Sequence, residues 1–288
     1  MKNRHLFILS LACLFPGTAL LAASGDGQNF SASTLSDAAK EDIGDIHPED
    51  SGGMLTHFRA NATVRGDYTS NAKLAGRNSS SDFLTLPSLE LGYNQPLGHG
   101  LSVDLAARQD TVAYAANSDK GFWGFDATAT VNYQYQLFWP QIYFQVEPYK
   151  YWNIDSGAST AAAVGLTGGI TYDLVFNKGR SLAFGGYGYS YYFADPTFDT
   201  RQTNRITIGI THQFRPAIFG QLYYSYQYTI YENLDRDDSR NIVGLNFTYQ
   251  FSRNVFATLN TSFVDNISTI SSASYQSLNV GIGLTYQY

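Results

Sequence analysis

The stretch Tyr275–Tyr288, YQSLNVGIGLTYQY, alternates without a break. Leu278, Val280, Ile282, Leu284, Tyr286 and Tyr288 share one parity; Ser277, Asn279, Gly281, Gly283, Thr285 and Gln287 share the other. A period of two is the period of an extended strand with one apolar and one polar face. The polar face is small and neutral, without the Lys and Glu that cover the sheets of water-soluble proteins. A chain built from such strands must put its apolar face somewhere other than water.

The same alternation recurs upstream. Val243, Leu245, Phe247, Tyr249 and Phe251 oppose Gly244, Asn246, Thr248 and Gln250. Ala127, Ala129, Val131, Tyr133 and Tyr135 oppose Asp126, Thr128, Thr130, Asn132, Gln134 and Gln136; Val164, Leu166, Ile170, Tyr172 and Leu174 oppose Gly165, Thr167, Gly169, Thr171 and Asp173. Strands are expected over 55–68, 82–95, 101–114, 125–137, 141–153, 160–176, 181–194, 203–214, 218–232, 240–251, 255–265 and 275–288. No helical period of any length competes. Connections alternate between short turns (96–100, 138–140, 177–180, 215–217, 252–254) and longer loops (69–81, 115–124, 154–159, 195–202, 233–239, 266–274). About twelve antiparallel strands, an even number with short turns at one end and long loops at the other, describe an all-β, up-and-down transmembrane barrel. Aromatics gather at the strand ends, with Tyr249, Phe251, Tyr286 and Tyr288 at one rim and Tyr68, Trp152, Tyr191 and Phe193 at the other, as interfacial girdles do. A water-soluble barrel would turn its polar face outward; this one is expected to turn its apolar face to lipid.

The N-terminus supports export. Lys2, Arg4 and His5 precede an apolar run from Leu6 to Ala23 that holds Pro16 and Gly17 and ends in small residues. That is the pattern of a secretory signal peptide, here residues 1–24, cleaved near Ala23 or Ser24. The lone Cys13 lies within the apolar run, which continues past it and has Ser10 where a lipoprotein signal has an aliphatic residue. The remainder then has neither a disulfide framework nor a thiol nucleophile. Residues 25–54, rich in Gly, Ser, Asp and Glu, read as a flexible acidic periplasmic leader, and 55–288 as the barrel. The net charge of −6, without basic clusters, speaks against nucleic-acid binding.

Candidate functional residues follow from parity. Arg59, Arg65, Asp67, Glu90, Asp104, Arg108, Asp110, Asp126, Glu147, Asp173 and Arg205 fall on the polar face and are expected to line the pore. Inward placement is favoured because Arg or Lys on the lipid face near the midplane costs about 2–4 kcal/mol. Four arginines against seven acids suggest neutral or weakly cation-preferring passage. The same charges also suit mixed-sign pairs that brace the barrel. Bulges at Pro87, Gln109 or Pro148 would flip faces, and Lys150 is expected to face lipid near the outer rim and snorkel. Asp235-Arg236-Asp237-Asp238 clusters carboxylates as a Ca²⁺ loop does, without the Gly and terminal Glu of an EF-hand, and reads as a solvated loop. His47, His57, His99 and His212 form no recognisable nucleophile–base constellation, so neither an enzyme nor a cofactor is expected.

The chain's end resembles the closing strand of bacterial outer-membrane β-barrels. Arg236-Asp237-Asp238-Ser239-Arg240, Val243-Gly244-Leu245, Tyr249, Phe251-Ser252-Arg253-Asn254 and Asn266-Ile267-Ser268 resemble the C-terminal part of the β-barrel porin families. The resemblance implies a bacterial outer-membrane location and a terminal aromatic read by the barrel-assembly machinery. It also implies contact with outer-membrane lipid and lipopolysaccharide, and small hydrophilic solutes as cargo. A non-conducting structural or adhesion barrel is the alternative, and an outer-membrane hydrolase a more distant one, because fold alone does not choose among them.

Overall fold

The computed structural model describes residues 57–72, 74, 80–136, 139–177 and 180–288. The expected signal peptide (1–24) and the whole of the expected leader (25–54) therefore lie outside the described residues. Twelve strands follow one another: β1 (Phe58–Thr69), β2 (Asp82–Gly98), β3 (Leu101–Tyr114), β4 (Phe122–Tyr133), β5 (Gln141–Asn153), β6 (Ser159–Phe176), β7 (Ser181–Asp195), β8 (Arg201–Arg215), β9 (Ile218–Tyr231), β10 (Arg236–Gln250), β11 (Val255–Ser268) and β12 (Tyr275–Gln287). Each pairs antiparallel with its sequence neighbours, and β1 pairs with β12 to close the barrel. Closure removes both sheet edges, which in hydrocarbon would leave rows of backbone N–H and C=O groups unpaired.

The closing register runs from Asn61↔Gln287 to Thr69↔Asn279. Beyond the ladder, Tyr288 N–H donates to Ala60 O at 2.9 Å and Ala60 N–H to Tyr288 O at 3.1 Å, so the terminal aromatic is part of the seam. The short connections, with residues 99–100, 134–136 and 139–140, 177 and 180, 216–217 and 251–254, lie at the end that holds Phe58 and Tyr288. By the rule for outer-membrane barrels this is the periplasmic end, and the longer loops are extracellular. Between β2 and β3 the chain reverses through Gly98, His99 and Gly100, all at positive φ (87°, 53° and 79°). A Cβ on Gly100 would lie 1.9 Å from the carbonyl oxygen of Gln134, so that turn requires glycine twice over.

Several strand boundaries differ from the sequence reading, three of them with consequences. β4 spans Phe122–Tyr133 rather than 125–137. β8 begins at Arg201, and β10 begins at Arg236, inside what reads as an acidic loop. Charged residues there mark a strand that rises past the lipid, not a turn. The bulges also move. Register runs evenly through Pro87, Gln109 and Pro148 and shifts instead at Pro96/Gly98, Tyr151/Trp152 and Gln213/Arg215, close to the strand ends. No face is therefore exchanged along the middle of any strand.

The outward rows are apolar and exposed: Leu278, Val280, Ile282, Leu284 and Tyr286 on β12; Ile206, Ile208, Ile210 and Phe214 on β8; Val243, Leu245, Phe247 and Tyr249 on β10. Such a surface is unstable in water and at home in lipid. The interior is the buried part. Besides Thr, Asn, Gln and Ser it contains an aromatic cluster: Tyr114, Phe122, Tyr149, Tyr151, Phe184, Tyr192, Tyr223 and Tyr275 pack with Val112, Leu182, Ile242 and Val264.

Candidate functional site

Every residue expected to line the pore lies in an inward-facing row, and the registers place the side chains in groups. Toward the short-turn end, the Arg59 guanidinium donates to both carboxylate oxygens of Asp104 (2.7 and 3.1 Å) and, through Nε, to Glu90 Oε1 (3.1 Å). It spans from β1 to β3 across β2 because Gly92, its register partner, has no side chain; a Cβ there would lie 2.5 Å from the guanidinium carbon. Farther up, Arg65 pairs with Asp67 at 2.7 Å on the same strand, and Asp67 lies over Gly281 across the seam. Arg108 Nε donates to Asp110 Oδ1 at 2.7 Å, and Glu90, Arg108 and Asp126 face one another in register across β2, β3 and β4. Glu147 is buried on β5. Asp173 sits lower on β6, half-buried, in register with Phe184. Arg205 donates to Gln227 Oε1 at 3.0 Å.

The opposite wall holds charges that the sequence reading missed. Arg201, Arg236 and Arg240 all point inward and are 1–3 % exposed. Arg201 lies over the ring of Tyr192 (4.5 Å to the centroid) and donates to the backbone oxygen of Asp199 at 3.1 Å. Arg236 lies over Tyr231 (4.7 Å) and binds Asp238 through Nε at 2.9 Å. Arg205, Gln227 and Arg240 are in register across β8, β9 and β10. With these three arginines counted, the inward acids, which also include Asp82 and Asp238, remain the more numerous, but the two signs are divided between walls. The inner face is acidic along β2–β6, where Arg108 is its one arginine, and arginine-rich along β8–β10. The signal was present in the sequence: Arg236, Asp238 and Arg240 share a parity with Ile242, Gly244 and Asn246.

The same alternation dismantles the candidate Ca²⁺ loop. Asp238 turns inward to Arg236, while Asp237 turns outward and accepts from the Tyr228 hydroxyl at 2.9 Å, so the two carboxylates diverge. Among the described residues no cluster of three or more His, Cys, Asp or Glu is placed to hold a metal.

Nearer the long-loop end the lumen holds a cluster of buried aromatic side chains. Phe122 and Tyr192 are fully buried and Tyr151 is 1 % exposed; Phe122 meets Tyr151 edge-on at 5.6 Å, and Tyr149 bridges Tyr151 and Tyr192. Ala72 and Leu74, from the connection between β1 and β2, join this cluster. Asn71 Nδ2 ties the same connection to Gln276 O at 3.0 Å.

His57 and His212 are held in structural contacts, and His47 lies outside the described residues. His57 Nδ1 lies 2.7 Å from Asn94 O, and His99 occupies the β2–β3 turn. His212 Nδ1 is 2.9 Å from Ser181 Oγ, but Ser181 is buried against the wall and the imidazole stands edge-on to Phe214.

These two faces, a closed twelve-strand wall and a charged, aromatic lumen, define a bacterial outer-membrane β-barrel. Residues 199–288, essentially β8 to β12, match the family model described as "Putative beta-barrel porin 2", and the chain as a whole is a bacterial outer-membrane β-barrel. Among solved structures it is similar to an outer membrane channel from Pseudomonas putida F1 at 11 % identity and TM-score 0.57, over 85 % of this chain and all of that one. It also resembles the translocator domain of the autotransporter NalP from Neisseria meningitidis (10 % identity, TM-score 0.49, 88 % and 93 % covered). A KdgM porin solved with oligogalacturonate matches at 10 % identity and TM-score 0.45, over 78 % of this chain and 98 % of that one. At these identities the likeness speaks for fold alone. No curated protein matches the sequence.

Proposed function

We propose that this barrel is a narrow porin-type channel for passive passage of small hydrophilic solutes, with the inward charged residues as its pore lining. The observation that carries this reading is the inner face itself. From Arg59 and Asp104 near one end to Arg201 and Arg236 near the other, polar and charged side chains extend over the whole height of the wall. A barrel that needed only to be stable would fill a lumen of this size more cheaply with apolar residues, because buried ion pairs contribute little net stability. With acids on one wall and arginines on the other, the bore suits solutes of either sign. Insertion through the barrel-assembly machinery and contact with lipopolysaccharide are proposed on outer-membrane placement alone, while the absence of catalysis belongs to the channel reading.

A second reading, a non-conducting structural barrel, is favoured by the complete burial of Phe122, Tyr192, Arg65, Arg201 and Arg240. Purified protein in planar bilayers separates the two. The channel reading expects discrete conductance steps and a reversal potential that moves toward cation preference in Arg205→Gln. Well-folded barrels that insert yet conduct no current would overturn it.

A further inference from the structure

The outward rows of the described strands contain one lysine, Lys150 on β5, and no arginine except Arg215 at the last residue of β8. Lys150 is exposed, and among the described residues no carboxylate lies in salt-bridge range of it. Its surroundings are ordered. In register beside it are Phe125 on β4 and Ala162 on β6. Its Nζ lies 5.3 Å from the ring centroid of Trp152, the next outward residue toward the long-loop end. Trp152 stacks on Trp123 with centroids 4.7 Å apart and planes 20° apart, and Phe125 stands edge-on to both indoles.

Two stacked indoles near the ends of β4 and β5 mark the lipid–water interface on the long-loop side, since Trp settles at headgroup level. Lys150 is one outward position below them. A lysine at that depth carries its ammonium toward the headgroups, and a face with no protein anion leaves the charge to be met by the lipid. The rows beneath are low. Ala127 and Ala129 on β4 and Pro148 on β5 give a shallow floor, which Ala107, two positions from Leu105 on β3, extends sideways. An acyl chain lying on that floor would place its headgroup at the ammonium. Cation, aromatic wall and low floor match the three parts of one amphiphile: phosphate, glycerol or sugar, and chain.

We infer that Lys150, with Trp123, Phe125 and Trp152, forms a binding site for the phosphate of an acylated, phosphorylated glycolipid of the outer leaflet, lipopolysaccharide in class. The inference rests on the barrel's placement in the outer membrane and its orientation, not on conduction. It therefore fails or survives independently of the channel reading.

The test uses the two site tryptophans as reporters. The remaining tryptophan, Trp139, lies in the short turn at the other end and is replaced (Trp139→Phe). The barrel is folded into phosphatidylcholine vesicles with a minor fraction of brominated phosphatidylglycerol or, as a control, of brominated phosphatidylcholine. The site predicts stronger quenching by the anionic lipid. Diphosphorylated lipid A should relieve it, and dephosphorylated lipid A should relieve it less. Lys150→Gln should weaken the preference for the anionic lipid about fivefold, the worth of one lysine at an anionic surface, and Lys150→Arg should retain it. Heat-modifiable migration on gels verifies that each variant is folded. Equal quenching by the two brominated lipids, an unchanged preference in Lys150→Gln, or equal competition by dephosphorylated lipid A would overturn the site.

Discussion

The residues that shape this lumen do so through pairs of very different size. Arg59 reaches Asp104 only because Gly92 lies beneath it, and Tyr192 lies across Gly165 in the same way. In a wall where strands are about 4.8 Å apart, a side chain crosses a neighbouring strand only where that strand offers no Cβ. Gly92→Ala should therefore push Arg59 off its carboxylates and cost about 1–3 kcal/mol of unfolding free energy, the usual range for overpacking. Gly66→Ala, on the outward face with nothing within 4 Å, should be neutral or slightly stabilising. Urea titration of both variants in the same detergent decides the point. The Arg236–Asp238 pair sets the second residue-level test, since both side chains are nearly inaccessible to solvent. Arg236→Met alone should cost roughly 3–5 kcal/mol, because it strands a buried carboxylate. Arg236→Met combined with Asp238→Leu should recover most of that loss. If the double variant is no better than the single, the pair contributes more than mutual neutralisation.

At the scale of the element, the strand ends hold the surprises and the strand centres hold none. Alternation fixes the centre of a strand because one residue of slip would turn every apolar side chain inward. Legibility fades where the chain leaves the lipid. Above the interface polar residues are tolerated on both faces, so RDDSR at the start of β10 reads as a loop by composition although it alternates as a strand. The aromatic residues of the lumen are not singled out by sequence. Tyr149 and Tyr151 share the parity of Glu147 and belong to the lumen, a placement that alternation alone allows but that apolar or charged character does not flag. Which arginine meets which carboxylate is not written in either strand alone, because it depends on cross-strand register and on which neighbour is glycine. Asp82, the first residue of β2, is another such residue. Its carboxylate accepts from the backbone N–H of Phe83, Ala116 and Asn117 and from Asn117 Nδ2, at 2.7–3.2 Å, pinning the β3–β4 connection to β2. Asp82→Ala should leave the barrel's unfolding transition in place, since the backbone ladder is untouched, while releasing that connection. Tryptic cleavage after Lys120 should accelerate about tenfold or more, the equivalent of losing at least one charge-assisted bond of ~1.5 kcal/mol. An unchanged cleavage rate would mean that the loop is held by something other than Asp82.

For the molecule as a whole, the decisive contacts are those between the two chain ends, more than two hundred residues apart in sequence. β1 and β12 pair over nine register positions and are further joined by Thr63–Thr285 and Thr69–Ser277 hydroxyl contacts of 3.0 Å. Nothing local stabilises that seam; it exists only once all the other hairpins are in place. A seam of this kind makes the barrel all-or-none, because each backbone group left unpaired in hydrocarbon costs several kcal/mol. Deleting residues 275–288 would expose the facing edges of β1 and β11, and the apolar outward rows would remain without a closed wall behind them. The truncated chain should therefore fail to give the fast-migrating, heat-modifiable species of a folded barrel and should be digested by added protease. Removing Tyr288 alone takes away the reciprocal Ala60 bonds and one girdle ring while sparing the nine register pairs. It should slow folding into lipid vesicles and lower stability, yet still yield a closed barrel. If the fourteen-residue deletion nonetheless produced a protease-resistant barrel, β1 would have to pair directly with β11. The smaller bore that results would show that the closing strand, whose alternation makes this fold legible, is not what holds it shut.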